Sequence, residues 1–176
     1  MNDCPLGVPG PHRLTTGLAF GLSDTGTVRQ HNEDNFLVDP HLQLLAVADG
    51  MGGHDAGAQA SAMALDTLYE CLRHKPTAPI ASVDPDATCQ IPAMSAIRVV
   101  EAAIEQVNSR IFQQNKAHHM SDGQGMGTTL TGVWRSDPEG PLTLFHVGDS
   151  RLYRYRDGEL LQLSRDQTWY QQALDA

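Results

Sequence analysis

The chain has 176 residues, 40% of them hydrophobic, enough for one globular domain with a real core. Its formal net charge is −9, with 21 acidic residues against 12 basic ones and no basic run longer than two, which argues against nucleic-acid binding through phosphate neutralisation. There is no signal-peptide apolar region and no run of about 18 apolar residues, so export and membrane insertion are disfavoured.

Residues 1–16 hold three prolines and two glycines and read as a disordered leader, leaving 17–176 as the domain. Leu18–Asp24 and Asn35–Asp39 are apolar runs of strand length bounded by polar turns. Leu42–Asp49 is a third, and its nearly continuous apolarity predicts a central strand buried on both faces. From Gly57 the period changes: Ala58, Ala62, Leu65, Tyr69 and Leu72 mark one face of a helix. The stretch 74–93 holds four prolines and is expected to be a surface loop. A second helix follows, with Ile97, Val100, Ile104, Val107 and Ile111 in step. "KAHHMSDGQGMG" is a polar connection. The strand candidates "TTLTGVWR", "LTLFHVGD" and "RLYRYRDGELLQLS" close the chain, the last a hairpin turning at Asp157-Gly158 in type I′ geometry. Helices grouped in the middle of many strands predict an α+β fold with helices packed on an antiparallel sheet. The three cysteines, Cys4, Cys71 and Cys89, form no C-x-x-C pair, so neither a zinc site nor a disulfide framework is indicated; a reducing, cytoplasmic setting is favoured.

Carboxylates gather in the segment from Arg29 to Gly57. Glu33 and Asp34 precede one strand and Asp49-Gly50 ends the next, so a hairpin around "DPH" brings them to one sheet edge. Like charges at close range raise each other's pKa unless something positive sits among them, and hard oxygen ligands suit Mg²⁺ or Mn²⁺. The alternative is a Gly-rich turn in which Asp49 caps the following helix. "HVGDSR" repeats the pattern at Asp149, where the alternative is an Asx-turn with Arg151 pairing locally. Two strand-end aspartates together with Glu33, Asp34 and Arg29 favour a shared acidic site.

"RQHNEDNF", "LLAVADGMGGHDAG", "MGTTLTGV" and "FHVGDSRLYRYRDGELLQLSRDQT" occur in the order and approximate spacing of the metal-dependent protein phosphatases. The chain resembles these type 2C serine/threonine phosphatases from Leu18 to Ala176, and Met51 gives it a bacterial character. The resemblance implies an antiparallel β-sandwich flanked by helices, in four αββα layers, incomplete at the C-terminus. It implies that Arg29 binds the substrate phosphate and that Asp34 orients a metal-bound water. Glu33, Asp49 and the Gly50 carbonyl would hold two core Mn²⁺ or Mg²⁺ ions, with Asp149 on a third. Gly127-Thr128-Thr129 would be structural.

The implied activity is hydrolysis of phosphoserine and phosphothreonine in proteins by a metal-bound hydroxide, opposing a bacterial protein kinase. No nucleic acid and no membrane enter as partners. Two departures stand out. Met51 takes the place of a His of the animal members and cannot donate a proton; His54 is three residues on. The family also continues past "SRDQTWYQQALDA" with two more ligand aspartates, which Asp166 and Asp175 do not match. Residues 17–176 are therefore expected to be a partial domain, and the competing expectation is a catalytically inactive phosphoprotein-binding or regulatory domain.

Overall fold

The structure is a computed structural model that describes residues 4–53, 55–74, 92–118 and 125–175. His54, Cys89, His119 and most of the proline-rich stretch lie outside the described residues. Strand pairing begins earlier than composition suggests. Gly10–Leu14 (β1) pairs antiparallel with Gly17–Gly21 (β2), so the expectation of a disordered leader does not hold for these residues. Several contacts order them. The Gln43 side chain accepts from both the amide and the hydroxyl of Thr15 in the turn, Gly7 N donates to Phe36 O, and Leu6 bridges Leu37. Pro11 fits because a two-stranded ribbon has free edges where a missing N–H is harmless.

Asp34–Asp39 (β3) and Leu44–Met51 (β4) form the predicted hairpin, its turn held by Asp39 Oδ1, which accepts from the amides of His41 and Leu42 at 2.7 Å each. Gly127–Thr128 (β5) and Leu130–Trp134 (β6) share the far side of β4, and Thr143–Val147 (β7) extends the sheet in the order β3-β4-β6-β7. Between β4 and β5 run the helices Asp55–Arg73 (α1) and Pro92–Ala117 (α2). Tyr153–Arg156 (β8) and Glu159–Gln162 (β9) form a separate hairpin, and Trp169–Asp175 (α3) ends the described chain. Asp157 and Gly158 both have positive φ, as a type I′ turn requires.

The core lies between the sheet and α1 with α2. Leu37, Leu44, Ala46, Ala48, Leu130 and Trp134 supply the sheet side, and Leu65, Leu68, Leu72, Val100 and Val107 the helix side. Thus β4 is central, yet it alternates instead of burying both faces: Leu44, Ala46 and Ala48 point to the helices, while Val47, Asp49 and Met51 are exposed. On α1, Leu65, Tyr69 and Leu72 are buried as expected, whereas Ala58 and Ala62 are half-buried. On α2 the buried stripe runs through Ala96, Val100, Ala103 and Val107, with Ile104 and Ile111 packed at its margin and Ile97 exposed. The architecture is α+β, antiparallel sheets flanked by helices, with one helical layer on one face of the main sheet.

Candidate active site

Three chain segments meet at the end of β3 and β4. The register places Asp34 directly opposite Asp49, where like charges repel. The Asp49 carboxyl is accordingly pushed above the ordinary aspartate value. Partial burial is the largest cause, followed by the Asp34 carboxyl, then Asp149 and Glu33. The other three predicted carboxylates are therefore near enough to act on Asp49. Asp49 lies within β4, six residues ahead of the start of α1, so it is not the helix cap that the sequence left open.

Glu33 sits just before β3. Its carbonyl accepts from Gly50 N at 3.1 Å and from the Ser61 hydroxyl at 2.6 Å, and Ser61 also receives Asn35 Nδ2 at 2.9 Å. Its Oε1 is buried and has no hydrogen-bond partner among the described residues. That oxygen lies in a notch made by two glycines. A Cβ on Gly57 would stand 2.5 Å from it, and a Cβ on Gly50 would collide with the Gly57 carbonyl.

Thr128 and Thr129 tie the other side. Thr129 Oγ1 accepts from Asp49 N at 2.9 Å, and Asp49 O accepts from Thr129 N at 2.9 Å and Thr128 Oγ1 at 3.0 Å. Thr129 Oγ1 also meets Ser150 Oγ at 2.6 Å, linking the Asp49 strand to the loop that carries Asp149. Gln167 fixes that loop from outside, donating its amide to Gly148 O at 2.8 Å and accepting Gly148 N on Oε1 at 3.0 Å. His146 is held at both nitrogens, by Thr131 Oγ1 at 2.8 Å and by the Arg165 carbonyl at 2.9 Å; since a carbonyl only accepts, Nε2 carries a proton. Arg151 makes a long local contact, Nη1 to the Tyr153 hydroxyl at 3.4 Å, but its main partner is distant. Its guanidinium forks onto Asp166, with Nε–Oδ1 at 3.0 Å and Nη2–Oδ2 at 2.6 Å, which holds the Asp166 carboxyl below its ordinary value.

A cleft of about 340 Å³ opens on the helix-free face, lined among others by Ser23, Asp24, Asp34, Asp49, Ser150 and Arg151. Arg29 is exposed on the segment between β2 and β3; the cleft wall there is made by Leu22, Ser23 and Asp24 instead. Gly50 is buried in β4. Among the described residues no three His, Cys, Asp or Glu side chains form a finished metal cage. The donors nevertheless fit a hard divalent cation: oxygen ligands, a buried Glu33 oxygen with no donor, and a glycine notch beside it. Ser61, Gly57 and Gln167 carried no chemical signal in the sequence, because they serve by bonding backbone groups or by leaving space, and Thr128-Thr129 stood out only through the family resemblance. The one hint was a serine among the alanines of α1.

Residues 25–172 match the family described as Protein phosphatase 2C. The serine/threonine protein phosphatase PstP of Mycobacterium tuberculosis is 39% identical over 164 residues, covering 93% of this chain and 28% of that protein. The serine/threonine phosphatase stp of Listeria monocytogenes is 32% identical over 147 residues, covering 82% of this chain and 52% of that protein. The chain thus spans from about a quarter to about half the length of these relatives. Among solved structures, the catalytic domain of PstP in complex with two manganese ions superposes with a TM-score of 0.67 at 36% identity, covering 88% of this chain and 57% of that one. By the match across its length and by these relatives, the chain belongs to the protein phosphatase 2C family.

Proposed function

We propose that this chain carries part of the catalytic centre of a metal-dependent phosphatase acting on phosphoserine and phosphothreonine in proteins. The observation that carries the reading is the facing pair Asp34 and Asp49, with Glu33 and Asp149 close enough to raise Asp49 further. Such crowding is unfavourable without a cation, and oxygen donors select Mn²⁺ or Mg²⁺. Glu33, Asp49 and the Gly50 carbonyl would hold two core ions, and Asp149 a third. Bound divalent cations supply an acidified water and positive charge for the phosphoryl oxygens. The protein's own groups do the rest: Asp34 orients the water by accepting its hydrogen, and Arg29 offers a planar fork to the phosphate. Met51 is exposed at the end of β4 and has no proton to give the leaving group. The relatives named as serine/threonine phosphatases support this reading, as does the two-manganese complex of PstP.

Its substrates would be proteins phosphorylated by a bacterial kinase in the cytoplasm. The free thiols of Cys4 and Cys71 accord with a reducing setting. Among the described residues no helix is long and apolar enough to cross a membrane. The deciding experiment is phosphate release from a phosphothreonine peptide at millimolar Mn²⁺, run on this chain and on any longer parent protein, with EDTA as control. Mn²⁺-dependent turnover by the parent supports the proposal, and none from either protein refutes it. A second reading, a non-catalytic phosphoprotein-binding domain, is favoured by the unfinished metal cage. Its mark would be phosphopeptide binding without turnover.

A further inference from the structure

Ser61 is fully buried in the alanine-rich first half of α1. A buried hydroxyl must find partners, and two of its three lie at the start of β3, Glu33 just before it and Asn35 within it. The hydroxyl has one proton, and the 2.6 Å contact to the Glu33 carbonyl takes it in preference to the 3.1 Å contact to Ala58 O in its own helix. Asn35 Nδ2 fills the acceptor side. The Glu33 backbone is thus pinned from the helix by Ser61 and from the sheet by the Gly50 amide. Gly57 lies four residues before Ser61, hence on the same helix face, and leaves the space that Glu33 Oε1 occupies.

We propose that Ser61 is a positioning residue which, with Gly57, aims the unpaired Glu33 carboxylate at a divalent cation. A carboxylate oxygen buried without a donor is unfavourable unless a cation shares the site, and an unanchored backbone would let it swing to solvent. Ser61 and Gly57 remove that escape, one by bonding the backbone and the other by shaping the notch. The proposal rests on Glu33 being a metal ligand.

The test is calorimetric titration of Mn²⁺ into the full chain, comparing wild type, Ser61→Ala and Thr67→Ala, with melting temperatures measured in EDTA. Thr67 is the control, a buried hydroxyl on the same helix that bonds Met63 O at 2.7 Å and receives Arg110 Nη1 at 2.9 Å, away from Glu33. Ser61→Ala should weaken Mn²⁺ binding about tenfold, as expected for a group that orients a ligand. Thr67→Ala should keep wild-type affinity despite a similar fall in melting temperature. Unchanged affinity in Ser61→Ala, or equal losses in both variants, overturns the proposal. Failure of wild type itself to bind Mn²⁺ overturns the metal reading and the proposal with it, and the two failures differ by which protein shows them. If Ser61→Ala does not fold, Ser61→Cys, a weak donor of similar size, is judged by the same criteria.

Discussion

Asp49 sits near the end of β4, with Asp34 facing it across the hairpin and Asp149 and Glu33 close by. One strand ending in Asp-Gly and another in Gly-Asp announced Asp49 and Asp149. The facing of Asp34 and Asp49 followed from the hairpin register. The sign of its effect on folding is definite. Because the folded state raises the Asp49 carboxyl above the ordinary aspartate value, it favours folding while protonated, and this contribution is lost as pH rises through the folded value. Asp49→Asn should therefore remove that pH dependence and, in EDTA at pH 7, raise the melting temperature by about 2 °C, since screened surface charges interact weakly. The same variant should no longer bind Mn²⁺ in calorimetry. Unaltered Mn²⁺ affinity would show that Asp49 is no ligand. Arg29→Lys in a longer, active parent should raise KM for a phosphopeptide and lower kcat/KM by about tenfold, because a point charge cannot replace the fork. Steady-state kinetics at wild-type values would leave Arg29 as a surface residue.

At the scale of elements, the hairpin of β8 and β9 has all of its strand residues exposed, so its place depends on polar anchors. The turn residues Asp157-Gly158 announced the hairpin, but the Arg151–Asp166 fork that anchors it spans 15 residues, which periodicity cannot see. The fork depresses the Asp166 carboxyl, so its contribution is present above the ordinary aspartate range and is lost as pH falls through the depressed value. Acidification to below the ordinary aspartate range should release the hairpin before the core melts. Amide exchange of Tyr155 and Leu160, corrected for intrinsic rate, would accelerate under acid, and Asp166→Asn should show the same acceleration at pH 7. The helices illustrate a different limit. The spacing located α2, yet the buried stripe uses Ala96 and Ala103 where the larger isoleucines were expected inside. Small residues let α1 and α2 approach closely, and a hydrophobic period weighted by size does not reward them.

For the molecule as a whole, α+β organisation was readable because the helices cluster in the middle of a larger number of strands. What was not readable was which face of the sheet stays open. Leu45, Val133 and Leu144 share a row on that face, and Val47 and Leu144 are 44% and 46% exposed, while Thr131 and His146 beside Val47 are bonded to the Ser150 and Arg165 carbonyls. Exposed apolar rows of this kind promote association, so light scattering should show concentration-dependent self-association of this chain, reduced by Leu144→Glu. The opposite face carries the stability. Leu68 is fully buried there, and Leu68→Ala should cost about 3 kcal/mol. For a domain of this size that is roughly 6–12 °C in a thermal scan.

The close approach of Gly50 and Gly57 also limits how this sequence can change. A methyl group on Gly50 meets the carbonyls of Gly57 and Glu33, which are backbone, whereas one on Gly57 meets first the Glu33 carboxylate, a side chain that can turn aside. Gly50 cannot be replaced first and accommodated later, since relief would require α1 to move as a body away from β4. In a saturation-mutagenesis library selected only for folding, Gly50 should remain almost invariant, while Gly57 should change once Glu33 does. Glu33, Asp34 and Asp49 should meanwhile drift freely. Such a library would separate the residues that build the pocket from those that use it.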